Sequence, residues 1–164
     1  MHADTFSYEL RINGLPFVVD TGISTYNKNC RRQYERSTIA HNTVSVDNKD
    51  SSRVWGGFRV GKRCKVTIEL ESNTIIKASH KAYKNRWQRI FRITNKEFAI
   101  EDYYDGDAVS YIHLPANADE SRIRIEGATH IDVEQGKYAT AYNTLLDCKI
   151  IKIKFNGKLR YSIQ

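Results

Sequence analysis

The sequence is short of cysteine, of proline and of long apolar runs, and each shortage excludes a class of protein. Its three cysteines, Cys30, Cys64 and Cys148, are odd in number and far apart, which argues against a disulfide framework and against a CxxC metal motif. Two prolines and nine glycines leave no room for a long flexible linker. No apolar run reaches the roughly 18 residues that a membrane-spanning helix requires, so we expect no membrane segment.

What the sequence does contain is typical of one folded domain. Of its 164 residues, 40% are hydrophobic and 27% are charged, which excludes a disordered chain. This length suits a single domain with a sizeable core, so residues 1–164 are predicted to form one unit. We find no internal repeat and no low-complexity tract.

The chain is basic, with a net charge of +7 and a pI near 9.3. A positive surface attracts polyanions of any kind, including nucleic acid, anionic lipid and acidic polysaccharide, although the charge also simply aids solubility. Tyrosine is abundant, with 10 residues. Tyrosine packs well on sheets and also lines sugar-binding grooves, so composition alone leaves both uses open.

Hydrophobic alternation predicts an all-β fold. Phe6, Tyr8, Leu10 and Ile12 share one face of a strand by their period of two. No window gives an amphipathic helix of ten or more residues, and many short strands separated by turn residues favour an antiparallel β-sandwich or barrel. Strands are predicted at residues 5–12, 15–19, 41–46, 57–61, 64–71, 74–80, 86–94, 97–104, 109–114, 122–126, 129–134, 137–142, 147–155 and 158–163.

Two Asn-Gly pairs, Asn13-Gly14 and Asn156-Gly157, predict tight hairpins, because both residues tolerate the positive φ angles of such turns. Residues 23–38 are polar, aromatic and basic without a clear period. We interpret them as a long loop, and loops of this length inside compact domains are often functional.

His2, Asp20 and His41 each stand at a strand edge or strand start. The first predicted hairpin folds Asp20 back beside the beginning of the first strand, near His2. Two imidazoles and a carboxylate are suitable Zn²⁺ ligands that leave a fourth position open. On spacing alone, other uses are equally reasonable: His2 as a loose terminal residue, Asp20 as a turn cap, and His41 as a hydrogen-bonded histidine at a strand edge.

Several segments resemble the heparinase II/III-like family. Residues 2–10 resemble its H-A-D-x-x-S-F-E-L stretch, residues 19–22 its V-D-x-G, and residues 36–47 (RSTIAHNTVSVD) its R-S-T-x-A-H-N-T-V-x-V-D. The WGGFRVG run at residues 55–61, followed by His80 and Tyr83, also fits. The resemblance is dense over residues 2–61, thinner to about residue 105, and limited to strand pattern beyond that.

The resemblance implies a fold, an activity and a cofactor. Its members are polysaccharide lyases that act on uronic-acid polymers such as heparin, heparan sulfate and alginate. They join an N-terminal α/α-toroid to C-terminal antiparallel β-sheet layers, so this chain is expected to be the β-sandwich part, detached from the toroid. In several relatives a zinc ion sits in the β domain, and its histidines and aspartate match His2, Asp20 and His41. A structural zinc ion is therefore expected beside the active cleft.

The resemblance also implies that most of the catalytic set is missing. β-Elimination removes the proton α to the uronate carboxylate, which needs a base, an acid and a partner that neutralises the carboxylate. In the family much of this set comes from the toroid, and another histidine lies two positions before the one matched by His2. Because the chain starts abruptly, we expect these residues upstream of Met1 and expect no activity from the domain alone.

What remains is expected to be one wall of a substrate groove. Tyr26, Tyr34, Arg36 and Asn42 lie in or beside the long loop and are the candidate substrate-binding residues. Tyrosine can stack on a sugar, and arginine can pair with a carboxylate or sulfate through two parallel hydrogen bonds. The alternative is that the arginines form a solvated face and the tyrosines pack beneath it.

Three functions follow in order of preference. The first is the β-sandwich part of a uronate-polysaccharide lyase, which is expected to bind a metal ion and to bind glycans only weakly in isolation. Its expected partners are an acidic polysaccharide, the toroid, and a second copy of the domain bound through the exposed domain face. The second is a non-catalytic acidic-glycan-binding module or a protein of polysaccharide biosynthesis. A nucleic-acid-binding domain ranks last, because the sequence shows no RNP-like aromatic motif and no basic helix. The sequence leaves two locations open for the parent protein: periplasmic or exported, and cytoplasmic.

Overall fold

The computed structural model describes residues 2–164, and the predicted all-β antiparallel fold is confirmed. Within these residues there is one short helix, α1 (Cys30–Arg36), and no helix long and apolar enough to cross a bilayer. Two 3₁₀ turns cover Thr38–Ala40 and Glu120–Arg122. The strands are β1 (Leu10–Ile12), β2 (Leu15–Val18), β3 (Val44–Ser45), β4 (Arg53–Trp55), β5 (Arg59–Gly61), β6 (Val66–Glu71), β7 (Ile75–His80), β8 (Trp87–Ile93), β9 (Phe98–Pro115), β10 (Ile123–Ala141) and β11 (Thr144–Ile163).

Seven strands form one large sheet, in the order β10-β11-β9-β8-β7-β6, with β3 paired beside the second half of β9. β8 pairs with the first half of β9, from Trp87 opposite Tyr104 to Ile93 opposite Phe98. β3 takes over further along, with Val44 opposite Ser110. β1 with β2, and β4 with β5, form two separate hairpins.

The hairpin predicted at Asn13-Gly14 is confirmed. Ile12 pairs with Leu15, so the loop has only two residues, and both have positive φ, 51° at Asn13 and 79° at Gly14. These angles give the turn the twist that adjacent strands require. The hairpin thereby directs residues 19 and 20 back toward the start of the chain.

The second predicted hairpin, at Asn156-Gly157, is wrong, and the prediction of only short strands is wrong with it. β9, β10 and β11 have 18, 19 and 20 residues, and β11 runs through Asn156-Gly157 without turning. On β9, Asp107 pairs with Asn156 but Tyr104 pairs with Gly157, so the register between β9 and β11 shifts at Gly157 while the two strands stay paired. Its φ of 83° serves a bulge, where glycine is as useful as in a turn.

The long loop predicted at residues 23–38 contains helix α1. The Oδ1 atom of Asn29 accepts a hydrogen bond from the backbone N–H of Arg32 at 2.8 Å and caps the first turn. The buried face of α1 is charged, consisting of Arg32, Glu35 and Arg36. An apolar stripe, the usual signal of a helix, is therefore missing from this segment.

The main core lies on one face of the large sheet. Trp87, Ile100, Ile112 and Ile153 are fully buried there, and the first segment of the chain and the β1–β2 hairpin cover them. Phe6 packs on Trp87 with ring centroids 5.3 Å apart. This covering layer carries His2 and Asp20 at its ends, so the packing of the core decides where those residues stand.

A buried ion pair fastens the covering layer to the sheet. The Nε and Nη2 atoms of Arg89 donate to the two carboxylate oxygens of Asp102 at 2.8 and 2.9 Å, and both side chains are fully buried. The Nη1 atom of Arg89 donates to the carbonyl oxygens of Phe6 and Asn42, at 2.9 and 2.7 Å. One guanidinium thus joins the sheet, the N-terminal segment and the segment that follows His41.

Candidate functional site

His2, Asp20 and His41, which the sequence singled out, lie side by side. The Nδ1 atom of His41 donates to the Oδ2 atom of Asp20 at 2.6 Å, and the ring centroids of His2 and His41 are 5.2 Å apart. His41 is 1% exposed, whereas the Asp20 side chain keeps 22% of its surface exposed. The predicted proximity of the three residues is present in the structure; metal binding itself stays a prediction.

Short backbone contacts hold these residues in place. Asp20 lies two residues after the end of β2, and its Oδ1 atom accepts a hydrogen bond from the backbone N–H of Gly22 at 2.9 Å. His41 follows the turn Thr38–Ala40. The segment of His2 is tied to the same turn, because the carbonyl oxygen of Ala3 accepts from the Thr38 hydroxyl at 2.8 Å. Three separated parts of the chain therefore converge by fixed hydrogen bonds.

Burial and charge set the protonation of the site. Burial raises the pKa of Asp20, but the hydrogen bond and charge of His41 and the Gly22 N–H outweigh it, so the pKa ends below its usual value. For His2, burial and then the nearby His41 and Arg32 lower the pKa to about 4. At neutral pH the site thus presents a carboxylate beside a neutral His2 ring, the forms in which these groups bind metal ions.

His113 is a member of this site that the sequence reasoning missed. It is fully buried on β9, and its Nδ1 atom donates to the Oδ1 atom of Asn42 at 3.1 Å. Burial lowers its pKa to about 4, and the charges of Asp20 and His41 also act on it. The sequence signal that could have indicated His113 is its position between the apolar residues Ile112 and Leu114 of a buried strand.

Two buried charged residues of α1, Arg32 and Glu35, lie at the bottom of the site. Arg32 is 2% exposed, and its Nη1 atom lies 3.3 Å from the Nε2 atom of His2. Glu35 is fully buried and accepts hydrogen bonds from the backbone N–H of Ser24 at 3.0 Å and from the Nε atom of Arg31 at 2.9 Å. Because a buried ion is costly without partners, these contacts explain why a helix without an apolar face is stable here.

Tyr26 stands at the exposed rim beside Arg32. Its ring, 51% exposed, stacks between Phe58 and Tyr142 with centroids 6.0 and 5.8 Å away. The guanidinium of Arg32 lies 5.5 Å from the Tyr26 ring centroid. An exposed aromatic rim of this kind can contact a sugar, and the role of Tyr26 in substrate binding stays a prediction.

Arg36 and Asn42, two of the other predicted substrate-binding residues, are fully buried and engaged within the protein. Arg36 donates to the carbonyl oxygens of Trp55, Gly56 and Arg59, and so holds the β4–β5 hairpin. The Nδ2 atom of Asn42 donates to the carbonyl oxygens of residues 8 and 19 at 2.8 and 2.9 Å, and its Oδ1 atom accepts from the His113 backbone N–H at 2.7 Å. Both side chains are thus engaged within the domain, and their contact with substrate stays a prediction.

Tyr34, the fourth predicted substrate-binding residue, is partly buried, and burial raises the pKa of its hydroxyl to about 12. A hydroxyl with so high a pKa stays protonated at neutral pH and can donate a hydrogen bond. The contact of Tyr34 with substrate stays a prediction.

The residues of the site fit a zinc ion by their chemistry. The Nε2 atoms of His41 and His113 are buried without a hydrogen-bond partner within residues 2–164, while both Nδ1 atoms are engaged by oxygen acceptors. Metal-binding histidines commonly show this pattern, with the second ring nitrogen donating to a carboxylate or another oxygen. In this conformation Asp20 is bonded to His41, and no set of three or more His, Cys, Asp or Glu side chains in the described part of the chain is arranged to hold a metal ion.

Comparison with known proteins agrees with the resemblance. The heparinase II/III-like C-terminal family matches residues 1–115. A heparinase III gene product with methylated lysines has a similar structure, with a TM-score of 0.75, 20% identity, and coverage of 98% of this chain and 29% of that protein. A mutant of the heparan sulfate lyase HepC from Pedobacter heparinus has a TM-score of 0.73, with 19% identity over 99% of this chain and 30% of that protein. Among curated proteins, none matches.

The chain therefore spans less than a third of the length of these solved relatives. Their low identity to this chain supports the shared fold, and the family match rests on the sequence of residues 1–115. That segment includes all of the cluster formed by His2, Asp20, His41 and His113. The chain belongs to the heparinase II/III-like family and carries the fold of its C-terminal domain.

Proposed function

We propose that this domain is the C-terminal part of a polysaccharide lyase that cleaves uronic-acid-containing glycans, of the heparin, heparan sulfate or alginate type, by β-elimination. The observation that carries the proposal is the cluster of His2, Asp20, His41 and His113, which lies within the matched segment and beside an exposed aromatic rim. The solved relatives are a heparinase III and a heparan sulfate lyase, which supports an acidic polysaccharide as the substrate.

The domain is proposed to form one wall of the active cleft and to need a second, helical domain for turnover. β-Elimination requires a base and an acid placed on either side of the scissile bond, together with a group that neutralises the uronate carboxylate. His113 and Asn42 are buried behind the site, so they can position neighbouring groups rather than meet the polymer directly. Tyr26, which is exposed at the rim, is the candidate for contact with a sugar, and Arg32, buried beside it, lies 5.5 Å from its ring centroid.

The activity test uses the formation of an unsaturated uronate, which absorbs ultraviolet light. Incubated alone with heparan sulfate, heparin or alginate, the domain is expected to form no product. Joined to the remainder of a family member, it is expected to support turnover that a His41→Ala substitution reduces and a His130→Ala substitution does not. His130 is the matched control because it lies on β10 with 58% of its side chain exposed. Equal turnover in the two variants would remove the His41 cluster from the proposal.

A metal ion is the finer part of the proposal, and zinc is the first candidate. His2, Asp20 and His41 would hold it, and the unpartnered Nε2 atom of His41 is the ring atom available to it. When bound, the ion would supply positive charge and a rigid link between three chain segments. Because a ligand that binds only the folded state stabilises it, added zinc should raise the thermal midpoint and a chelator should lower it. A thermal midpoint that neither zinc nor the chelator changes would count against the metal site.

A non-catalytic acidic-glycan-binding module is the second candidate, favoured by the net charge of +7. It predicts salt-sensitive binding of heparin that is independent of metal and no contribution to turnover in the joined protein. The activity test above therefore separates the two candidates.

A further inference from the structure

A groove beside the β4–β5 hairpin carries most of the net charge of the chain. It has a volume of about 980 Å³ and is lined by residues from the segments 49–54, 62–67 and 79–86. We call it the basic groove. Its volume lies at the upper end of the roughly 300–1,000 Å³ that is usual for ligand pockets.

The charge balance of the basic groove is unlike that of the remaining surface. Seven of its fifteen lining residues are Lys or Arg and one, Asp50, is acidic, which gives 7 − 1 = +6. The whole chain has 26 basic and 19 acidic residues, so outside the groove there are 19 basic and 18 acidic residues. Asp47 and Glu69 pair with two of these cations from outside the lining, so the groove with these partners carries 7 − 3 = +4, more than half of the net +7. A concave surface with low-dielectric walls focuses the field of such charges.

Most of these cations have no carboxylate partner. Within residues 2–164, no ion pair is formed by five of the lining side chains, namely Arg53, Lys62, Arg63, Lys65 and Lys81. The exceptions are Lys49, which pairs with Asp47 at 3.2 Å, and Arg86, which pairs with Glu69. Because cations gathered around one groove repel one another, an anion bound among them would relieve that repulsion.

The groove borders the candidate functional site. The hydroxyl of Ser51, on its wall, donates to the carbonyl oxygen of Ala3 at 3.2 Å, and Ala3 is the neighbour of His2. Asp50, the single acidic lining residue, accepts a hydrogen bond from the backbone N–H of Thr38 at 2.7 Å. The same turn, Thr38–Ala40, therefore supports both the wall of the groove and His41.

We propose that the basic groove binds an acidic polysaccharide segment through its sulfate and carboxylate groups, outside the cluster of His2, Asp20 and His41. This inference rests on the proposed function for the choice of polymer. Arg53 and Arg63 supply planar guanidinium groups, and the lysines supply point charges, a mixture suited to sulfates and carboxylates spread along a chain. Single-stranded nucleic acid is disfavoured, because such grooves add aromatic side chains on which bases stack, and no Phe, Tyr or Trp among the described residues lines this groove.

The test compares two double charge reversals in equilibrium binding of a heparin oligosaccharide. R63E/K65E changes two exposed residues of the groove. K96E/R124E makes the same change of net charge at two exposed residues far from it, in the β8–β9 turn and on edge strand β10. We expect the groove variant to bind at least roughly tenfold more weakly at low salt, with a shallower dependence on salt, and the control variant to bind almost as the unchanged protein does. A third variant, K62S/K81S, should show a smaller loss in the same direction.

Each outcome decides something. Equal losses of heparin affinity in the two charge-reversal variants would mean that net charge alone attracts the oligosaccharide, and would overturn the proposed binding in the groove. Binding of uronate oligosaccharides that R63E/K65E leaves unchanged would overturn the groove while leaving the proposed lyase function in place. If R63E/K65E instead abolishes binding that the unchanged protein shows equally to dextran sulfate, the groove stands and the uronate substrate is wrong. Tighter binding of single-stranded oligothymidylate than of any glycan would overturn the choice of polymer.

Discussion

Replacing Arg89 with methionine should destabilise the domain strongly, because Arg89 holds the first segment of the chain on the sheet. Its guanidinium makes two hydrogen bonds to Asp102 and one each to the carbonyl oxygens of Phe6 and Asn42, and all of them are buried or partly buried. Removing one partner of a buried ion pair costs about 3–5 kcal/mol, since the other charge is left without compensation. The two carbonyl groups add to this cost, so we expect a loss of at least about 4 kcal/mol in the free energy of unfolding.

Arg92→Met is the matched control. Arg92 lies on the same strand and pairs with Glu101 on the same neighbouring strand at 2.7 Å, but its side chain is 41% exposed. Glu101 is buried, but without Arg92 it keeps the Tyr103 hydroxyl at 2.6 Å and Lys158 at 3.7 Å. Because its charge is not left without partners and the guanidinium is partly exposed, the loss should be only about 1 kcal/mol. Urea unfolding followed by circular dichroism gives both values. If Arg89→Met and Arg92→Met cost the same, the claim that burial sets the strength of the first pair is refuted.

The double variant R89M/D102L separates the charge from the packing. Apolar side chains of similar volume in place of a buried pair are often close to neutral. The double variant should therefore recover part of the loss seen in Arg89→Met, although the Nε1 atom of Trp87 loses its acceptor, Asp102, at 3.1 Å.

Two further expectations follow from the same structure. Burial, and then Arg89, lower the pKa of His80 to about 4. Because the unfolded chain takes up a proton near pH 6.5 and the folded chain only near pH 4, His80 should cost up to about 3 kcal/mol of stability between pH 7 and pH 4. The difference in urea midpoints between the unchanged protein and His80→Gln should grow over that range, and a constant difference would contradict it. Edge strand β6 exposes Val66, Ile68 and Leu70 at 46%, 60% and 48%; if a second copy binds there, light scattering should show a dimer that Ile68→Lys separates, and a monomer at all concentrations would exclude it.

The sequence predicted those parts of the fold that neighbouring residues determine. Asn13-Gly14 forms its hairpin because the turn geometry depends on those two residues alone. Asn156-Gly157 has the same letters, yet β11 continues through it, because β9 and β10 pair with β11 on both sides and absorb the extra residues as a register shift. Pairing between distant segments overrode the local signal.

The same distinction applies to the candidate site. His2, Asp20 and His41 could be predicted because the family resemblance names them and the first hairpin brings them together. His113 could not, since only the pairing of β3 with β9 and the amide of Asn42 place it behind His41. The burial of Arg36 and Asn42 could not be predicted for a related reason: a polar residue beside a loop resembles an exposed ligand-binding residue until the fold is known.

The basic groove likewise could not be predicted from the amino-acid composition. The net charge of +7 is visible in the sequence, but its concentration along residues 49–65 and 79–86 arises only when the β4–β5 hairpin folds against the edge of the sheet. Charge patterning along the chain gives no long basic run that would have marked it.

The central claim is that this domain contributes a metal-binding histidine cluster to a polysaccharide lyase, and the most direct test is the metal content of the purified protein. Mass spectrometry of the bound metal should be carried out on the unchanged chain, on His41→Ala and on the control His130→Ala, all exposed to zinc and then dialysed. We predict one zinc per chain in the unchanged protein and in His130→Ala, and none in His41→Ala. Zinc retained in all three proteins, or absent from all three, would contradict the assignment of the metal to His2, Asp20 and His41.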